Sequence, residues 1–181
     1  MKKTGNISVN IFSGDFMRFH RYLIVAFLIF AWSVSFVAMA EQGAYLTKID
    51  MLLQTDDAPE GVVFEVINRD VLFLNWALPE IEKQSQRLRK KFPDLDIVVV
   101  SHGREMFALT SKNQSENPEL KTQLDSLVSQ QVPVYVCGTY AERRGIENSE
   151  FPENVKVAAE GPAQINDYIK LGYTHILMKL K

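Results

Sequence analysis

The chain has 181 residues, 46% hydrophobic and 23% charged, with 9 glycines and 7 prolines; this excludes a disordered or collagen-like chain and fits one ordinary domain with an extension. A formal charge of −2 without a basic stripe argues against nucleic acid as a partner, because that affinity rests on many Lys and Arg contacts to phosphate. Cys137 is the only cysteine, which excludes an intramolecular disulfide and any cysteine-based zinc or iron–sulfur centre within one chain, and His20, His102 and His175 sit in unrelated segments without metal-ligand spacing.

The amino terminus reads as an export signal. Leu23 to Phe36 is uncharged and apolar, Arg18 and Arg21 precede it, and Ala38-Met39-Ala40 follows as a small-x-small site. Basic start, apolar stretch and cleavage site make residues 1–40 a secretory signal peptide, cut after Ala40. The run is short of the roughly 20 residues that a membrane span needs, so membrane attachment is expected only if the leader stays uncleaved. Residues 1–16 are polar and fit a leader poorly; a start at Met17 gives a compact one. Removal of residues 1–40 takes away Lys2, Lys3, Arg18, Arg21 and Asp15, which leaves 16 basic and 21 acidic residues, a net of −5. The expected location is the periplasm.

Residues 41–60 read as an arm or a short, weakly packed first helix, closed by the turn-rich Asp56-Asp57-Ala58-Pro59-Glu60-Gly61. Val62 to Ile67 is a first strand, dominated by β-branched and aromatic residues. Val71 to Phe92 has helical spacing with Leu72, Trp76, Ile81 and Leu88 as its apolar positions; Leu72, Phe73 and Trp76 suit the core or a subunit interface, and the charged second half suits solvent. Asp96 to Val100 is a second strand whose continuous apolar run fits burial on both faces. Arg104 to Thr110 starts a helix, Ser111 to Pro118 reads as a polar loop, and Glu119 to Gln131 is amphipathic, with Leu120, Leu124, Leu127 and Val128 on one stripe. Pro133 to Cys137 is a third strand, Thr139 to Gly145 a short helix or turn, and Val155 to Ala158 a fourth strand. Pro162 to Gly172 is a helix with Ile165, Tyr168 and Ile169 inward and Gly172 as carboxyl cap, and Thr174 to Met178 is the last strand. Alternating strands and helices predict an α/β domain over 61–181 with a mostly parallel five-stranded sheet.

In such sheets, ligands gather beyond the carboxyl ends of the strands. Asn68-Arg69, His102-Gly103 and Cys137-Gly138 occupy that edge after strands one, two and three. Cys137 ends a strand and precedes a helix start, where free N–H groups favour a thiolate, with Arg143 and Arg144 one or two turns on and Gly138 permitting close approach. The opposite reading, a buried cysteine packing as a small hydrophobe, has equal weight from position alone. No GxGxxG or P-loop signature supports a nucleotide cofactor.

The segment Val136-Cys137-Gly138-Thr139-Tyr140-Ala141-Glu142-Arg143-Arg144-Gly145-Ile146 resembles the cysteine segment of the DsrE/DsrF-like proteins, including sulfur-relay members of the TusD type. Val98 to Gly103 resembles the family's second strand and His-Gly turn, and Asn166 to Tyr173 its last helix and Gly-Tyr turn. The likeness covers about 62–178. It implies a flavodoxin-like three-layer α/β/α sandwich with strands two and three as neighbours, His102 near Cys137, and homo-oligomers, commonly trimers or hexamers. It implies that Cys137 carries sulfur as a persulfide, taken from a sulfane-sulfur donor and passed to an acceptor, protein or small sulfur species, with no metal and no cofactor. Export is a departure, since the relay members work in the cytoplasm.

His102 is thus a candidate to orient or protonate sulfur beside Cys137. Gly103, Gly138, Thr139, Arg143, Arg144, Asn68 and Arg69 are candidates for binding an anionic sulfur species. Arg104 flanks the same edge, and His175 reads as structural. Against the sulfur carrier stands a non-catalytic oligomeric module that binds a small anion or a partner protein and keeps Cys137 inert and buried. A thiol-redox or metal-trafficking role is weaker with one thiol per chain.

Overall fold

The computed structural model describes residues 43–178. The leader, its cleavage site and the alternative start at Met17 lie outside the described residues.

Five strands, β1 (Gly61–Val66), β2 (Asp96–Ser101), β3 (Val134–Cys137), β4 (Val155–Ala158) and β5 (Tyr173–Met178), form one all-parallel sheet in the order β4-β3-β2-β1-β5. The chain steps outward from β1 to β4, then reverses and lays β5 outside β1. Right-handed crossovers therefore put the helices of the outward steps on one face and the returning helix on the other. On the first face α2 (Leu74–Lys91) packs beside α4 (Pro118–Ser129). On the second, α6 (Gly161–Lys170) lies over β1, β2, β3 and β5. This is the three-layer α/β sandwich that the strand–helix alternation predicts.

Strand periodicity sorts the core between the faces. Val62, Phe64, Val66, Ile97 and Val99 join Leu74, Leu78, Ile81, Leu124 and Leu127 under α2 and α4. Val63, Val98 and Val100 meet Ile165 under α6, with Tyr135, Tyr168 and Tyr173 around them. Each fully buried aliphatic or aromatic side chain of this kind stabilises the fold by about 1.5–3 kcal/mol through burial.

Four segments depart from the sequence expectation. Residues 43–54 are helical (α1), and the helix is docked rather than loose. Ile49 is fully buried, Tyr45 meets Trp76 edge-on at 6.0 Å between ring centroids, and its hydroxyl donates to Glu80 Oε1 at 3.1 Å. Residues Ser111–Glu116 form α3 instead of a loop, because Thr110 caps the helix by accepting from the Asn113 N–H and the buried Gln114 amide donates to the Leu109 carbonyl at 2.9 Å. Helix α2 starts at Leu74, not Val71: Asp70 Oδ1 accepts the Leu72 N–H in a turn, which leaves Leu72 62% exposed. Ile169 faces solvent because Ile165 and Tyr168 alone fill the narrow stripe over the sheet. Arg104–Leu109 is a 3₁₀ helix, and α5 (Gly138–Glu142) follows β3 directly. Gly172 takes the positive φ of 92° that a helix-ending position requires. Among the described residues, no helix is long and apolar enough to cross a membrane.

Candidate functional site

The adjacency of β1, β2 and β3 brings their carboxyl ends together, and two different structures are built there. The first is a rigid knot. Glu105, fully buried, accepts from Ser101 Oγ at 2.8 Å, from the Gly103 N–H at 2.9 Å and from the Asn68 N–H at 2.6 Å. The Arg104 N–H donates to the Asn68 carbonyl at 2.8 Å. Burial raises the Glu105 carboxyl above its ordinary range, and the bonds from Ser101, Asn68 and Gly103 act against that rise. A Cβ on Gly103 would stand 2.6 Å from the Asn68 carbonyl oxygen, so only glycine fits. The knot ties the ends of β1 and β2 and holds the residue between Ser101 and Gly103, which is His102.

The second structure is a pocket of about 260 Å³ lined by His102, Cys137, Thr139, Tyr140, Arg143, Glu160 and Pro162. Cys137 is a free thiol, 5% exposed, at the end of β3. Thr139 is locked by its N–H and its hydroxyl, both donating to the Ala159 carbonyl at 3.0 and 2.7 Å. Gly161 opens α6 against the pocket wall: a Cβ there would lie 2.7 Å from His102 Cβ and 3.2 Å from Cys137 Cβ. The amino-terminal, positive end of this ten-residue helix therefore abuts Cys137.

The pocket joins four of the residues singled out in the sequence: Cys137, His102, Thr139 and Arg143. Gly138 sits behind it, where a Cβ would press on the Ala158 carbonyl and Val157 at 3.1 Å. Arg144 turns away, its guanidinium 5.3 Å from the Tyr140 ring centroid and its Nη2 3.3 Å from the Tyr140 hydroxyl. Asn68 and Gly103 belong to the knot, and exposed Arg69 is not among the lining residues.

His102 has a partner that sequence reasoning missed. Its Nε2 lies 2.7 Å from Glu65 Oε1, and the other oxygen, Oε2, lies 2.5 Å from His175 Nε2. Glu65 is held well below the usual carboxylate range, at about 2, by the hydrogen bond from His102, then by that from His175, against the opposing effect of burial. His175, read from sequence as structural, is thus tied to the same carboxylate as His102. Among the described residues no cluster of His, Cys, Asp and Glu is arranged to hold a metal ion.

The sequence model of the DsrE/DsrF-like family matches residues 71–177. The chain belongs to this family. The matched stretch contains His102, Cys137, Arg143 and Gly161, whereas Glu65 and Asn68 precede it. Among solved structures, the protein of unknown function MTH1491 from Methanobacterium thermoautotrophicum superimposes with a TM-score of 0.53 at 18% identity, over 65% of this chain and 97% of that one. The YchN protein of E. coli gives 0.49 at 18% identity, over 65% and 99%. At that identity the likeness to MTH1491 shows the fold. No curated protein matches the chain.

Beyond Glu65, the sequence reading also passed over Tyr140, Glu160 and Gly161. A signal existed for two of them. Glu65 is a lone acid inside an otherwise apolar strand, which demands a buried partner. Gly161-Pro162 opens a helix after the fourth strand, the same edge on which Cys137 lies.

Proposed function

We propose that this DsrE-like protein is an exported sulfur carrier of the sulfurtransferase type, in which Cys137 holds sulfane sulfur as a persulfide. The observation that carries the reading is the placement of Cys137 on the pocket wall with His102 and Arg143, in a chain of the DsrE/DsrF-like family, whose members in general serve sulfur relay. The step needs no oxidant. The Cys137 thiolate attacks the outer sulfur of a persulfide or thiosulfate, a new S–S bond forms, the donor's S–S bond breaks, and the donor leaves as a thiolate or as sulfite. A second thiolate, that of the acceptor, then takes the outer sulfur and frees Cys137. His102 takes the thiol proton and returns it to the leaving group. Arg143 supplies positive charge for an anionic donor, and Thr139 and Tyr140 shape the entrance. The partners are donor and acceptor proteins or small sulfur species, met in the periplasm after removal of residues 1–40, by a homo-oligomer such as a trimer or hexamer.

The test is sulfane sulfur released by cyanide from the polysulfide-treated protein: one equivalent per chain for the wild type and none for Cys137→Ser. Loading of the variant would overturn the assignment. Fractionation with amino-terminal sequencing tests export, with Glu41 as the expected first residue. The exposure of Cys137, only 5%, favours a second reading, a module that binds an anion or a partner protein around an inert thiol. That reading requires native Cys137 to resist alkylation until the chain is denatured.

A further inference from the structure

The carboxylate between the two histidines settles which nitrogen of His102 carries its proton. An ionised carboxylate only accepts hydrogen bonds, so a ring nitrogen bonded to it must be the N–H. Glu65 gives one oxygen to each ring, Oε1 to His102 at 2.7 Å and Oε2 to His175 at 2.5 Å. Both Nε2 atoms therefore hold hydrogen, and in neutral His102 the lone pair lies on Nδ1. Water is a poor substitute for Glu65, because the side chains of His102 and Glu65 are 10% and 18% exposed. The backbone on both sides is held: Glu65 lies within β1, paired with Val100 of β2 and Leu177 of β5, and the His102 N–H donates to the Val66 carbonyl at 3.1 Å.

We propose that Glu65 is a positioning residue that fixes His102 in the tautomer whose Nδ1 serves as base for the Cys137 thiol. This rests on the carrier reading and adds the residue that makes His102 competent for it. The thiol proton moves to Nδ1, the resulting imidazolium keeps its Nε2–H on the Glu65 carboxylate, and the free thiolate attacks the donor sulfur. The proton then passes to the leaving group, so no charge is left over. Other charged or titratable groups around His102 and Cys137 are His175 on β5, Glu105 bonded to Ser101 and Gly103, Tyr140 on α5, Arg143 just after α5, and Glu160 ahead of α6.

Two measurements test it. Nitrogen-15 spectra of the wild-type histidine rings should show neutral His102 protonated at Nε2; protonation at Nδ1 overturns the proposal without any variant. The rate of native Cys137 alkylation, followed against pH, should fall about tenfold or more at neutral pH in Glu65→Leu, and as far in His102→Gln. The double variant should fall no further, as residues acting through one another are non-additive. Glu65→Gln, which keeps one acceptor, should recover part of the rate. If Glu65→Leu fails to fold, the wild-type tautomer and Glu65→Gln decide. Ready alkylation that is indifferent to residue 65 defeats this inference and leaves the carrier reading standing, whereas complete native resistance of Cys137 defeats the carrier reading and this inference with it.

Discussion

Replacement of Glu105 by alanine tests whether the knot behind His102 is structural. The carboxylate accepts two backbone N–H groups, those of Asn68 and Gly103, and the buried Ser101 hydroxyl. Alanine removes this acceptor from the two backbone N–H groups and from the buried Ser101 hydroxyl, at about 1–3 kcal/mol for each group left unsatisfied. Removal of a buried carboxylate returns part of that cost, because burial already disfavours its charge. The net expectation is a loss of about 2–4 kcal/mol, and less for Glu105→Gln, whose carbonyl keeps one or two of the bonds. Urea unfolding followed by circular dichroism measures it. A loss of about 0.5 kcal/mol or less, the size of an ordinary surface change, would refute the reasoning. The loop that carries His102 should loosen as well, so Cys137 alkylation should slow in the same variant.

Glu65 predicts an acid-side dependence. Its folded value of about 2 lies below the ordinary 4.5, so the unfolded chain binds more protons between those limits. Its contribution is complete above the upper limit and is lost as pH falls toward the lower, and urea midpoints between about pH 2 and 5 should show that slope in the wild type and a flatter one in Glu65→Gln. Glu105 works in the opposite direction, since its raised carboxyl makes ionisation unfavourable in the folded state as pH rises above the ordinary range. Gly161→Ala should destabilise by about 1–3 kcal/mol and slow sulfur loading, because its Cβ would press on His102 and Cys137 together; unchanged melting and loading would contradict the packing. Arg143→Ala should weaken thiosulfate binding in calorimetry, whereas Arg144→Ala, stacked on Tyr140, should leave it near wild type; the reverse order would place the anion elsewhere.

The fold was legible where hydrophobic periodicity was strong. The continuous apolar run of β2 and the stripe of α4 predicted their environments, and burial on both faces of β2 follows from helices on both sides of the sheet. Polar segments were harder. Helix α3 depends on a cap at Thr110 and a single buried amide, signals too local for a periodicity argument. Helix α1 owes its docking to Tyr45 and Ile49, two residues in a polar stretch whose partners are distant in sequence. The same limit governs the site. Cys137 and His102 were visible because strand ends are reactive positions, but the bond between His102 and Glu65 joins residues 37 apart, and that between Glu65 and His175 spans 110. Asn68 and Gly103 lie at the expected edge and serve Glu105 instead of the pocket, a distinction that required side-chain geometry.

The most direct measurement of the central claim is the intact mass of the purified protein before and after exposure to polysulfide, with Cys137→Ser alongside. A gain of one sulfur atom, absent from the variant and reversed by reductant, is the predicted result. An unchanged mass for the wild type under native conditions, with Cys137 labelled only after denaturation, would contradict the carrier and make the cysteine part of the core.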